Sequence, residues 1–149
     1  MSLKEKLMSD LKEAMKKKDA LRVNTLRMVL TTLKNLEVEK MKEASDEEVM
    51  EALMKEAKKR REAIEEYEKH GRAELAEKER EELEIIESYL PKQLSEEEIR
   101  EIVMEAIKEV GAASPKDLGK VMKIVMPKVK GRADGKFVNK MVREILESL

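Results

Sequence analysis

The chain has 149 residues, of which 44% are charged and 2% aromatic, and its formal net charge is −1. It contains no cysteine, which excludes disulfides, thiolate metal sites and thiol catalysis. No apolar run approaches the roughly 20 residues that a membrane-spanning helix needs. The lack of cysteine and of an apolar leader at the N-terminus predicts a cytoplasmic protein.

Apolar residues recur at helical spacing through residues 1–90, and no segment alternates as a strand would. Signals for helix starts are present as two S-x-x-E capping boxes, Ser2 with Glu5 and Ser45 with Glu48, and as one further N-cap, Asp19. The apolar pattern predicts four helices, which end near Lys18, Met41, Gly71 and Pro91.

Beyond Pro91 the helices become shorter and their apolar faces fuller. Ser95 and Glu98 form a third capping box, and Gly111 is expected to end the helix that this box begins. The strongest change of pattern therefore lies at the proline, which predicts a domain boundary there.

The remaining sequence predicts two more helices. Ser114 is expected to cap a helix whose first residue is Pro115, and Pro127 is expected to end or kink that helix. Asp134 is expected to cap the last helix.

The predicted fold class is all-α, with an N-terminal long-helix hairpin domain at residues 1–90 and a small C-terminal three-helix domain at residues 95–149. Charge is distributed unevenly along this chain. Residues 1–90 and 91–111 each have a net charge of −3, residues 112–143 have +7, and residues 144–149 have −2. The near-neutral total thus conceals one basic segment.

The basic segment places two triplets of cations at i, i+4 and i+7, on two helices joined by a basic loop. Such faces can contact phosphates along a nucleic-acid backbone. Solvated surface lysines and the docking of an acidic protein partner are the alternatives. Gly131, Asp134 and Gly135 are expected to shape the loop. The candidate nucleic-acid-binding residues are Lys116, Lys120, Lys123, Lys128, Lys130, Arg132, Lys136, Lys140 and Arg143.

A second basic cluster, residues 55–61, lies in a helix dense with glutamate and is interpreted as a salt-bridged, solvated face. The chain has a single histidine, His70, beside Gly71, where a structural role at a helix end is expected. No phosphate-binding glycine motif, catalytic triad or set of metal ligands is present. The sequence predicts no catalytic residue, no metal site and no cofactor.

Two stretches carry a resemblance to a known family, "ESYLPKQLSEEEI" at residues 87–99 and "GKVMKIVMPKVKGRADGKFVNKMVREIL" at residues 119–146. The whole chain resembles YqeY-like proteins, and its C-terminal part is similar to the tail of the B subunit of the tRNA-dependent amidotransferase. This resemblance implies an all-helical, two-domain architecture. It also implies a tail domain that helps to hold tRNA, while the kinase and ammonia-transfer chemistry lies in parts that this chain lacks.

The sequence and the resemblance together predict a non-catalytic accessory protein that binds tRNA. Because aromatic residues are few, we expect contacts to phosphates with little readout of bases. A protein-interaction adaptor is one alternative. Another, implied by the family, is a role beside partner subunits in carbon–nitrogen ligation with glutamine as amido donor. The sequence leaves the oligomeric state open.

Overall fold

The structure, a computed structural model, describes residues 1–149. Helix accounts for 79% of the chain and no strand forms, which confirms the predicted all-α class. None of the helices is both long and apolar enough to cross a lipid bilayer. The helices are α1 Leu3–Lys16, α2 Ala20–Lys40, α3 Asp46–Lys69, α4 Ala73–Glu87, α5 Glu96–Val110, a 3-10 turn at Pro115–Asp117, α6 Leu118–Val129 and α7 Gly135–Glu147.

Two of the predicted capping boxes form in full. Ser45 Oγ accepts the N–H of Glu48 at 3.2 Å, while Glu48 Oε1 accepts the N–H of Ser45 at 3.1 Å. Ser95 and Glu98 make the same reciprocal pair at 3.1 and 3.0 Å. Each box satisfies backbone N–H groups that the first turn of a helix leaves without a partner, and so it fixes where α3 and α5 begin.

The first two helices begin with simpler caps. Ser2 Oγ accepts the N–H of Glu5 at 3.1 Å, which is one half of the predicted box. Asp19 Oδ1 accepts the N–H of Arg22 at 3.2 Å, as predicted for the start of α2.

The structure modifies two predicted boundaries around α6. Ser114 precedes a helical segment whose first residue is Pro115, as predicted, but this segment is a short 3-10 turn, and α6 starts three residues after the proline. Pro127 does not end α6, which continues to Val129. The final turn is held by the buried side chain of Val129 and by the bond from Lys130 N–H to Met126 O at 2.9 Å, which offset the N–H that proline lacks.

Glycine ends two helices where the sequence predicts it. Gly71 has a φ of +68° and Gly111 of +65°, the left-handed backbone that favours glycine. α2 ends next to Met41, as predicted, and Met41 adopts a φ of 56° and is 91% exposed. The helix predicted to run to the proline ends earlier, at Glu87, and the buried Leu90 lies in the turn beyond it.

The chain forms two compact units, residues 1–90 and residues 91–149, each with its own aliphatic core. In the first unit α3 packs along α4, α2 contacts both, and α1 packs on α2 and α3. In the second unit α6 packs on α5 and on α7. The large, fully buried side chains include Leu7, Leu26, Leu33, Leu53 and Ile86 in the first unit and Val103, Val121, Val125, Val129 and Leu146 in the second.

The basic cluster at residues 55–61 is not a uniformly solvated face. Arg60 is buried, and its guanidinium pairs with the buried carboxylate of Glu56 and lies 3.5 Å, Nε to Oε2, from that of Glu82. Lys59 is exposed and its Nζ lies 3.8 Å from Glu56 Oε1. The predicted salt bridging is present, but the predicted solvation is wrong for Arg60, because position 60 continues the buried stripe of α3.

The buried charges connect three helices of the first unit. Thr32 of α2 donates its hydroxyl to Glu56 Oε1 of α3 at 3.3 Å, and Arg60 joins Glu56 to Glu82 of α4. Glu79 borders the cluster, and its pKa is raised by partial burial and then by the negative charge of Glu82, against the opposing effect of Arg60. The ion pairs of Arg60 therefore join α3 to α4, and the hydrogen bond from Thr32 joins α2 to the same cluster.

Candidate nucleic-acid interface

The first predicted basic face lies on the 3-10 turn and α6. The side chains of Lys116, Lys120 and Lys123 are exposed, whereas the valines along α6 are fully buried. At 100° per residue Lys120 and Lys123 lie about 140–160° around α6 from the valines, and Lys116 is exposed on the 3-10 turn that precedes α6. They therefore point away from the core of residues 91–149 and into solvent.

The second predicted basic face lies on α7. Lys136, Lys140 and Arg143 are exposed, and they lie about 140–160° around the helix from the fully buried Val138. Arg143 donates to Asn139 Oδ1 at 3.1 Å, which orients the guanidinium along the helix surface. The three cations form one continuous face because their spacing matches two helical turns.

Most of these cations are loosely engaged within the chain. Lys120 lies 3.9 Å from Asp117, and Lys140 lies 3.9 Å from Glu144, in pairs whose lysines are about three-quarters exposed (74% and 75%). The pKa of Asp117 is lowered first by the bond from the Ala113 N–H, so this carboxylate stays ionised beside its lysine. Exposed pairs of this kind are weak. The lysines of this set without an ion-pair partner are Lys116, Lys123, Lys128 and Lys136.

The loop between α6 and α7 is docked on the segment that precedes α5. Gly131 is buried and has a φ of +75°. Its carbonyl accepts from Gln93 Nε2 at 2.9 Å, and the carbonyl of Arg132 accepts from the N–H of Leu94 at 2.8 Å. Arg132 Nε donates in turn to the carbonyl of Lys92 at 3.3 Å. These bonds hold the loop in one conformation.

The loop residues consequently divide into two kinds. Lys130 is exposed, whereas Arg132 is half-buried with part of its guanidinium engaged on the backbone. Asp134 Oδ1 accepts the N–H of Lys136 at 3.3 Å and caps α7, as predicted. Gly135 is the first residue of α7 and does not take the left-handed conformation. The arginine thus contributes to loop structure as well as to the local positive charge.

The two basic faces point in different directions. Each triplet lies opposite the apolar stripe of its own helix, and both stripes face the same core. Two helices that pack on one core expose outer faces that diverge, so the two triplets of cations lie on a curved surface and not on one flat patch. Such a surface fits a curved or folded polyanion, whereas a straight polyanion would contact one face at a time.

The opposite charge is concentrated on α5. This helix, Glu96–Val110, carries six glutamates, one lysine and one arginine. An open depression of about 520 Å³ lies on its surface, lined by Glu97, Arg100, Glu101, Met104 and Glu105. The unit of residues 91–149 therefore has an acidic helix and two basic helices on one small core.

One exposed aromatic side chain was missed by the sequence reasoning. Phe137, in the first turn of α7, is 40% exposed although the buried Val138 and Met141 are close in sequence. Helical periodicity could have indicated this, because position 137 lies about 100° from the centre of the buried stripe. The basic segment thus offers an aromatic ring beside its lysines.

His70 lies at the end of α3, where its Nδ1 is 2.8 Å from the carbonyl of Glu66 and its side chain is exposed. This position suits a helix C-cap. The chain contains no group of three or more histidine, cysteine, aspartate or glutamate side chains arranged to hold a metal ion.

The chain matches a known protein family. Residues 4–146, nearly the whole chain, match the family described as Yqey-like protein. None of the curated proteins matches this sequence. Because the match covers the all-helical chain from α1 to α7, including the docked loop and both motif stretches, the chain belongs to the YqeY-like family.

Proposed function

We propose that this chain is a non-catalytic accessory protein that binds tRNA through the basic surface of residues 112–143. The observation that carries the proposal is a net charge of +7 over this segment, in which eight of the nine cations are exposed. The resemblance of the C-terminal part to the tail of the amidotransferase B subunit supports tRNA as the polyanion.

Binding would depend mainly on phosphate contacts. Lysine side chains without a carboxylate partner can approach phosphate oxygens without breaking an internal pair. The curvature of the basic surface favours a folded RNA, whose backbone bends, over a straight duplex. The docked loop keeps the two basic helices in a fixed relation, which reduces the ordering cost of binding.

The test is binding of the purified protein to total tRNA and to duplex DNA with a matched number of phosphates, across a salt series. About six phosphate contacts would give a log–log slope of about −4 to −5. Micromolar or tighter binding, with preference for tRNA, is expected. Weak binding that is equal for both polyanions would refute the proposal and leave the cations as ordinary surface.

Charge-reversing variants locate the interface. Lys136→Glu with Lys140→Glu is expected to abolish tRNA binding without unfolding the protein, because both side chains are exposed. The matched control is Lys12→Glu with Lys16→Glu on α1, two exposed lysines at the same spacing with the same change in net charge. Equal loss in both double variants would mean that total charge, not this face, governs binding.

A protein-interaction adaptor is the second candidate. The acidic surface of α5, with the 48% exposed Met104 inside its open depression, offers a place for a basic, partly apolar partner. This candidate predicts a specific protein that remains bound to the chain after nuclease treatment. Loss of every partner on nuclease treatment would argue against it.

An amidotransferase-associated role would require partner subunits, because no catalytic constellation was found in the sequence. Formation of an amide from glutamine by the purified chain alone would overturn the proposal of a non-catalytic protein.

A further inference from the structure

Phe137 is the only phenylalanine of the chain and the only aromatic residue between residues 112 and 143. Its side chain is 40% exposed, while its neighbours Val138 and Met141 fill the core. The ring is therefore available at the surface of the segment that carries the positive charge.

The ring lies at the border of the α7 basic face. Lys140 is three residues further along the helix, about 60° around it, with its Cβ about 5–6 Å from that of Phe137. Lys136 directly precedes the ring in the same first turn. A nucleic-acid backbone held by these two lysines would bring the attached bases within reach of the ring.

One carboxylate also lies on this side of α7. Glu144 is 3.9 Å from Lys140, in a pair whose side chains are 75% and 63% exposed. An exposed pair of this kind is weak and is readily exchanged for a phosphate. Near the ring the charge is thus cationic on balance, with Lys136 and Lys140 against Glu144, while the exposed Glu147 lies further along α7.

We propose that Phe137 stacks on an unpaired nucleobase of RNA while Lys136 and Lys140 hold the adjacent phosphates. This inference rests on the proposed function and narrows its ligand to RNA that presents unstacked bases, as loops and single strands do. A fully paired duplex keeps its bases stacked on one another and offers the ring no free face. Stacking on an aromatic side chain tolerates any base, since every base has a π-face.

The test compares binding of the full chain to a uridine-rich single-stranded RNA and to a fully paired RNA duplex of equal length. Phe137→Ala and Phe137→Leu are expected to weaken single-strand binding by about 5- to 100-fold and to leave duplex binding unchanged. Because the chain has no tryptophan, Phe137→Trp adds a single indole, which should keep affinity and lose fluorescence when a base stacks on it. Met104→Ala, at another exposed apolar side chain of the same unit, is the matched control and should change neither affinity.

The outcomes separate this inference from the proposed function. Suppose that the wild-type protein binds single-stranded RNA and that Phe137→Leu binds it equally well. The contact is then apolar packing, which a protein partner could make as well, and stacking on a base is refuted. Unchanged binding by Phe137→Ala, or unquenched fluorescence of Phe137→Trp, refutes it as well. Failure of the wild-type protein to bind total tRNA refutes the proposed function and this inference together. Binding of tRNA without binding of the single-stranded RNA refutes this inference alone. Should Phe137→Ala not fold, the leucine and tryptophan variants decide.

Discussion

Replacing Arg60 with methionine is expected to destabilise residues 1–90 strongly. Methionine keeps much of the side-chain length but removes the only cation between Glu56 and Glu82. These carboxylates are 6% and 7% exposed, so water cannot take the place of the guanidinium. Removing one partner of a buried ion pair costs about 3–5 kcal/mol.

The neighbouring Lys59→Met is a matched control. Lys59 lies on the same helix and its Nζ is 3.8 Å from Glu56, but its side chain is 71% exposed. An exposed pair contributes about 0–1 kcal/mol. Each variant therefore removes one positive charge that pairs with Glu56. The side chain that is replaced is buried in Arg60→Met and exposed in Lys59→Met.

Urea unfolding followed by far-ultraviolet circular dichroism measures the difference. With an m value of about 2 kcal/mol per molar, a loss of about 4 kcal/mol lowers the urea midpoint by about 2 M. Amide hydrogen exchange in α3 assigns the change to residues 1–90, which have their own core.

A loss for Arg60→Met no larger than that for Lys59→Met would mean that Glu56 and Glu82 reach water, and it would refute the reasoning. A rescue variant also tests whether the unpaired carboxylates cause the loss of stability. Arg60→Met combined with Glu56→Gln and Glu82→Gln removes all three charges and should recover most of the lost stability.

Two further predictions concern the loop and pH. Gly131→Ala should lower the free energy of unfolding by about 1–2 kcal/mol, because Gly131 has a φ of +75°. Gly135→Ala should be nearly neutral, since its new Cβ would lie 3.7 Å from the nearest atom, a methionine Cε. Equal shifts of the two variants in thermal unfolding would contradict this. The bonds from Lys40 and from the Ser45 N–H lower the pKa of Glu48 to about 2 from 4.5. Its ionised form stabilises the fold above pH 4.5, and this contribution is lost as the pH falls towards 2. The stability difference between wild type and Glu48→Gln should therefore shrink across that window, and a constant difference would count against the assignment.

Helix boundaries with a local chemical cause could be predicted from the sequence. Ser45 with Glu48 and Ser95 with Glu98 make their bonds within four residues, so no distant part of the chain needs to be known. Gly111 adopts the backbone conformation that glycine alone takes at little cost. The all-α class followed from the same local signals.

The buried charges of the first unit could not be predicted in this way. Arg60 lies seven residues after Leu53 and three after Ala57, both fully buried, so it lies on the buried stripe of α3. A pattern of hydrophobic residues does not include an arginine in such a stripe. Its burial depends on Glu82, which reaches it from a different helix. Tertiary partners of this kind leave no signal at a fixed spacing.

For the candidate interface, the sequence predicted which lysines share a face, because Lys136 and Lys140 are one helical turn apart. The engagement of Arg132 depends on the carbonyl of Lys92, forty residues earlier, and could not be foreseen. The exposure of Phe137 could have been predicted from helical periodicity. Base contacts were not expected because the chain has few aromatic residues.

The docked loop also determines the shortest C-terminal fragment worth producing. A fragment that begins at residue 95 would discard the donors from Gln93 and Leu94, and would leave the carbonyl of the buried Gly131 without its side-chain partner. An unsatisfied buried carbonyl costs about 1–3 kcal/mol, which is severe for a piece of this size. A fragment begun at Pro91 keeps these bonds and is the one to express for crystallisation or NMR.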